Sequence, residues 1–104
     1  MPDIFTAAHR VPIIVAAARN KVPAVYPQSF YAREGGLLSY APDVVDTFRG
    51  AASYVDRILR GAKPGDLPVQ FPTEFEMVVN RRAAKALGLE VPLSILVRAD
   101  EVIE

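Results

Sequence analysis

The chain has 104 residues, with 12 lysine plus arginine against 12 aspartate plus glutamate, one histidine and no cysteine. Balanced charge excludes a net field that would draw in nucleic acid or an anionic membrane, and the lack of thiols excludes disulfides, thiolate metal sites and cysteine nucleophiles. With 51% hydrophobic and 23% charged residues the composition is that of a folding chain, enough for one compact α/β unit and too little for two lobes that each own a core.

In chain order, Met1-Pro2-Asp3-Ile4-Phe5 has no basic flank before an apolar core and no small-residue cleavage site. No secretory signal is read there, so the chain as written is expected in the cytoplasm. The longest apolar stretch, Val11 to Ala18, falls short of the roughly 20 residues that span a bilayer. Pro12 suits the first position of a helix over Ile13 to Arg19, with Asn20 as its left-handed terminator. Val22 to Pro27 is short, β-branched and bracketed by prolines, which predicts a buried strand. This makes half of a β-α-β unit, whose preceding strand is reduced to a few residues at Met1 to Phe5.

Gly35-Gly36 breaks the pattern, and Leu37 to Tyr40 predicts another short strand ending at Ala41-Pro42. The helix that follows opens with Pro42, Asp43 and Asp46 and closes with Arg57 and Arg60 before Gly61, as helix-dipole and C-cap chemistry require. Val44, Val45, Phe48, Ala51, Ala52, Val55, Ile58 and Leu59 give it one wide apolar stripe that is predicted to lie on a sheet. Lys63-Pro64-Gly65-Asp66 is a turn, and residues 67–73 carry two prolines and predict an extended connector. Phe75, Met77 and Val79 alternate with their neighbours as in a strand with one apolar face. Asn80 caps a helix over Arg81 to Leu87, ended by Gly88-Leu89, and a last helix is expected from Ser94 towards the C-terminus.

Little in the chain suggests catalysis. His9 is alone and reads as a surface or helix-entry histidine, so a metal site would have only carboxylates around it. Gly35-Gly36 lacks the G-x-G-x-x-G spacing and precedes a strand, not a phosphate-binding helix. Asp3, Glu34 and Asp43 are not paired by their spacing, and no G-x-S-x-G motif exists. No cofactor or metal is expected. Tyr26, Phe30, Tyr31 and Tyr40 fall at or just after the carboxyl ends of predicted strands, the edge where open α/β sheets bind ligands. A tyrosine there offers an apolar face and a hydroxyl to a small solute, or simply caps the core; for Tyr26 and Tyr40 both remain open.

The order of motifs resembles the ABC transporter substrate-binding proteins associated with uptake of aromatic amino acids and related solutes. The resemblance rests on Pro23 to Pro27, Gly35 to Tyr40, Ala52 to Pro64, Asp66 to Val69, Phe75 to Asn80, Ala83 to Leu89 and Arg98 to Glu104. It covers nearly the whole chain and looks like the last third of such a protein. The resemblance implies an α/β fold, part of a periplasmic-binding-protein type I-like sandwich with a short parallel sheet and flanking helices, incomplete as a single chain. Residues 1–70 would be the C-terminal part of the second, ligand-cleft lobe, and residues 71–104 a crossover strand and helices packing on the first lobe. Asp3, Tyr26 and Tyr40 would lie on the cleft side.

The function so implied is non-catalytic. The chain would be the solute-binding component, or a fragment of it, of an ABC-type importer, holding a small organic solute such as an amino acid and meeting a membrane permease, in the periplasm or another extracytoplasmic space. Unfinished apolar surfaces also predict self-association as a homodimer or larger assembly, with residues 75–103 exchanged between copies. The alternative is an autonomous, self-associating interaction protein with no ligand. Nucleic acid is not an expected partner.

Overall fold

The computed structural model describes residues 3–104. Its elements are α1 (Ile4–Ala8), α2 (Arg10–Arg19), β1 (Val25–Tyr26), α3 (Ser29–Arg33), β2 (Leu38–Pro42), α4 (Val44–Leu59), a 3₁₀ turn (Pro64–Asp66), β3 (Phe75–Asn80), α5 (Arg81–Ala86), α6 (Leu93–Arg98) and β4 (Glu101–Ile103). The four strands form one sheet in the order β1-β2-β3-β4. The outer pairs are parallel, Tyr26 lying opposite Ser39 and Val79 opposite Val102. The central pair runs antiparallel, because Asn80 N–H donates to Leu37 O at 2.9 Å while Asp43 N–H donates to Glu74 O at 2.8 Å. The α/β class is therefore as expected, in a mixed sheet and not a wholly parallel one.

The chain divides into two compact units: one takes the polypeptide up to Ala41 and again from Glu76 to Glu104, and the other is Pro42–Phe75. Residues from Glu76 onward join the unit of α1, α2, α3 and β1, because β3 pairs with β4 and Asn80 bonds back to Leu37 and Ala32.

In the first unit the core is built around Ile14, Tyr26 and Tyr31, with Ala24 and Phe30 packed against them. Val78 and Val79 are consecutive and both fully buried, so β3 is covered on both faces and does not alternate as its sequence suggested. Asp3 caps α1 where an incoming strand had been expected, its Oδ1 accepting from Thr6 N–H at 2.6 Å; Met1 and Pro2 lie outside the described residues. After α2 the left-handed residue is Lys21 (φ +54°), not Asn20, whose amide instead donates to Ala16 O at 2.8 Å. At the other end of the chain α6 stops at Arg98, and β4 forms where a continuing helix was predicted. Asp100 sets that join: its N–H donates to Met77 O at 2.8 Å and its Oδ2 accepts from Met77 N–H at 2.7 Å.

The second unit holds α4 and the extended connector. Asp43 is the N-cap, accepting from Asp46 N–H at 3.1 Å, and Gly61 (φ +110°) follows the helix end, as read from the sequence. The predicted burial of the helix stripe does not occur within this unit. No residue of Pro42–Phe75 is buried, Phe48 being 71% and Leu59 81% exposed.

Candidate functional site

The sequence reading puts a ligand at the carboxyl ends of β1 and β2, of which Tyr26, Tyr40 and Ala41 belong to the first unit. Register decides what faces where. Tyr26 and Ser39 are Cα partners, so their side chains share a face, and Tyr40, one residue on, points to the opposite one. Burial agrees: Tyr26 is 7% exposed, Ser39 1% and Tyr40 52%. The sheet thus places the two tyrosines on opposite faces.

Tyr26 sits in an aromatic stack. Its ring lies 5.2 Å from that of Tyr31, which lies 4.9 Å from Phe30. The Arg10 guanidinium covers the outer face of Phe30 at 5.1 Å and also grips Glu34 in a two-pronged ion pair, one prong being Nη2 to Oε1 at 3.0 Å. Burial, and after it the neighbouring Tyr31, pushes the Tyr26 phenol above its ordinary pKa. Asp3 is fully outside this stack. Its carboxylate accepts from Thr6 N–H and, at 2.7 Å, from Thr6 Oγ1, bonds that hold its pKa below the ordinary value. His9 joins α1 to α2, its Nδ1 donating to Phe5 O at 2.8 Å, which is a structural role at a helix entry.

Three features escaped the sequence reading. Arg33 donates to Glu101 Oε2 at 2.8 Å and to Glu76 Oε1 at 3.2 Å, tying α3 to both β3 and β4. Asn80 is more than a cap: besides accepting from Ala83 N–H at 3.0 Å, its side chain donates to Ala32 O at 2.8 Å. The Oγ of Ser39 is buried with no partner among the described residues. A cavity of about 370 Å³ also opens beside Ala17, Val22, Ala24, Leu37, Ala83 and Leu87. Tyr26 at the end of β1 also lines it, together with the polar side chains of Arg33, Glu34, Asn80 and Arg82. Among the described residues no cluster of three metal-ligating side chains occurs, and no helix is long and apolar enough to cross a membrane.

Solved structures share this architecture. A conserved domain protein from Vibrio cholerae matches with TM-score 0.87 and 33% sequence identity, over 96% of this chain and 34% of that one. An ABC domain from Streptococcus pneumoniae, in complex with L-Trp, matches with TM-score 0.84 and 29% identity, over 97% of this chain and 35% of that one. A substrate binding protein with adhesive properties from Clostridium difficile, in a ligand-free, open structure, shares the fold at TM-score 0.64 and 24% identity, over 97% and 34%. The chain thus spans about a third of the structures it resembles. No match is found among curated proteins. These likenesses define the fold class, an α/β architecture with a mixed sheet. The chain belongs to the ABC transporter substrate binding protein family, whose pattern it matches over residues 1–103. Members of that family bind and do not catalyse.

Proposed function

We propose that the chain is part of the solute receptor of an ABC-type importer, binding a small organic solute of the amino-acid kind and working with a membrane permease outside the cytoplasm. One observation carries this: the Streptococcus pneumoniae domain that follows 97% of this chain is in complex with L-Trp. The carboxyl edge of β1 and β2 is the surface to which we assign the solute, with Tyr40 as an exposed aromatic wall, Asp3 as an ionised partner for an ammonium group, and Tyr26 as the buried support behind them. We further assign the unit of β1 to β4 to the ligand-cleft lobe and Pro42–Phe75 to the other lobe.

Titration of the isotopically labelled chain with L-tryptophan, the other amino acids and small carboxylic acids tests the proposal. A saturable shift of the Thr6, Tyr40 and Gln28 amides by one class of solute is expected. No shift with any of them, at millimolar concentration, overturns it.

Self-association without a ligand is a second possibility, favoured by the exposed apolar face of α4. Sedimentation equilibrium separates the two: a tight dimer indifferent to every solute supports the second.

A further inference from the structure

The cavity between α2 and α5 has no part in the solute site assigned above, since neither Asp3 nor Tyr40 belongs to its wall. Its volume of about 370 Å³ falls at the small end of the roughly 300 to 1,000 Å³ of small-molecule sites. Every lining residue comes from the first unit, so that unit builds it alone.

Three properties of the wall select a guest. Ala17, Val22, Ala24, Leu37 and Leu87 offer an aliphatic bed with no side-chain hydrogen-bonding group. Tyr26 brings a hydroxyl to it. The residue is 7% exposed, and its Cε2, next to the carbon that bears the hydroxyl, lies against Gly36 in the cavity wall. That hydroxyl bonds to none of the described residues, yet it is not sealed in as Ser39 Oγ is. A polar group so placed is under-satisfied until something in the cavity reaches it. Charge completes the picture. Glu34 is held by Arg10, and Arg33 by Glu76 and Glu101. Arg82 is exposed and makes, among the described residues, only a long bond from Nη2 to Glu104 O at 3.4 Å. The charge left over at the cavity is positive.

We propose that this cavity is a further ligand site, for a small organic acid with an apolar body and one more oxygen, such as a hydroxy or oxo acid. The carboxylate pairs with the Arg82 guanidinium, whose planar fork matches two oxygens. The body lies on the aliphatic bed, and the other oxygen accepts from the Tyr26 hydroxyl.

The test titrates the isotopically labelled chain with para- and meta-hydroxybenzoate, with benzoate, and with the neutral hydroxybenzamides. Saturable shifts of the Gly36, Leu37, Ala83 and Leu87 amides are expected in the millimolar range. The better hydroxybenzoate should bind about tenfold more tightly than its amide, a charge-assisted bond, and about fivefold more tightly than benzoate, a neutral one. Arg82→Gln should remove the first preference and Tyr26→Phe the second. No saturable shift at these amides overturns the proposal, and so does a neutral amide that binds as well as its acid. A preference for the hydroxyl that survives Tyr26→Phe overturns it too. Shifts confined to Thr6, Gln28 and Tyr40 place the acid at the strand ends instead, which also overturns it. Arg82 is exposed, so its arm of the test stands whatever Tyr26→Phe does to the ring stack. The two sites report on different amides, so failure of amino acids at the strand ends leaves this outcome readable.

Discussion

Gly36 lies against the ring of Tyr26 so closely that a Cβ added there would stand 2.7 Å from Cε2, and 2.8 Å from the carbonyl oxygen of Tyr31. Backbone and a stacked ring enclose that point, so neither can step aside. Gly36→Ala is expected to cost about 1 to 3 kcal/mol, the range of an overpacked core, and to disturb the Tyr26 to Tyr31 stack. Urea denaturation measures the first, and near-ultraviolet circular dichroism the second. An unchanged midpoint would mean that the strand before β2 can shift.

Asn80 joins three elements through one side chain, bonding α3 at Ala32 and α5 at Ala83 while its own N–H reaches Leu37. Asn80→Ala leaves Ala32 O without this donor and strips α5 of its cap, with an expected loss of about 2 to 4 kcal/mol. Asn80→Asp keeps an acceptor for the cap and loses the donor to Ala32, so it separates the two contributions. Equilibrium urea unfolding of both variants gives the comparison.

Ser39 is the reverse case, a buried hydroxyl without a partner among the described residues. Ser39→Ala is expected to leave stability unchanged or to raise it by about 1 kcal/mol, since a desolvated polar group is removed at little loss of packing. A clear drop in the urea midpoint would reveal a bond to Oγ, for example from a buried water.

Acid should weaken the first unit. The Arg10 guanidinium bonded to Glu34 holds that carboxyl below its ordinary pKa, and the Thr6 backbone N–H does the same for Asp3. A folded-state value below the unfolded one means that the folded chain binds fewer protons. Its contribution is complete above the ordinary value, about 4.3 for glutamate, and is lost as pH falls through the folded value. Glu34→Gln is expected to flatten the fall in urea midpoint between pH 6 and pH 3. Both groups face water, so high salt should also diminish the effect.

The parts legible in the sequence were those marked by local chemistry. Asp43 and Gly61 announce the ends of α4, and Asn80 and Gly88 those of α5, because caps are set within a few residues of chain. The parts that were not legible depend on distant partners. β4 has three residues, too few to show a period, and exists because Asp100 is anchored on Met77. α3 is five residues in a stretch that reads as loop, and its packing comes from the Tyr31 ring. For the candidate site, Tyr26 and Tyr40 were identified as strand-end aromatics, but only the pairing of Tyr26 with Ser39 reveals that they face opposite ways.

The three stacked rings of Tyr26, Tyr31 and Phe30 have an optical consequence, because the chain contains no tryptophan. The intrinsic emission of these 104 residues is phenolic, at short wavelength. Were an indole solute of the proposed kind added to this chain, it would be the sole long-wavelength emitter and, near the sheet, would accept excitation from the tyrosines, so its binding could be read without a dye.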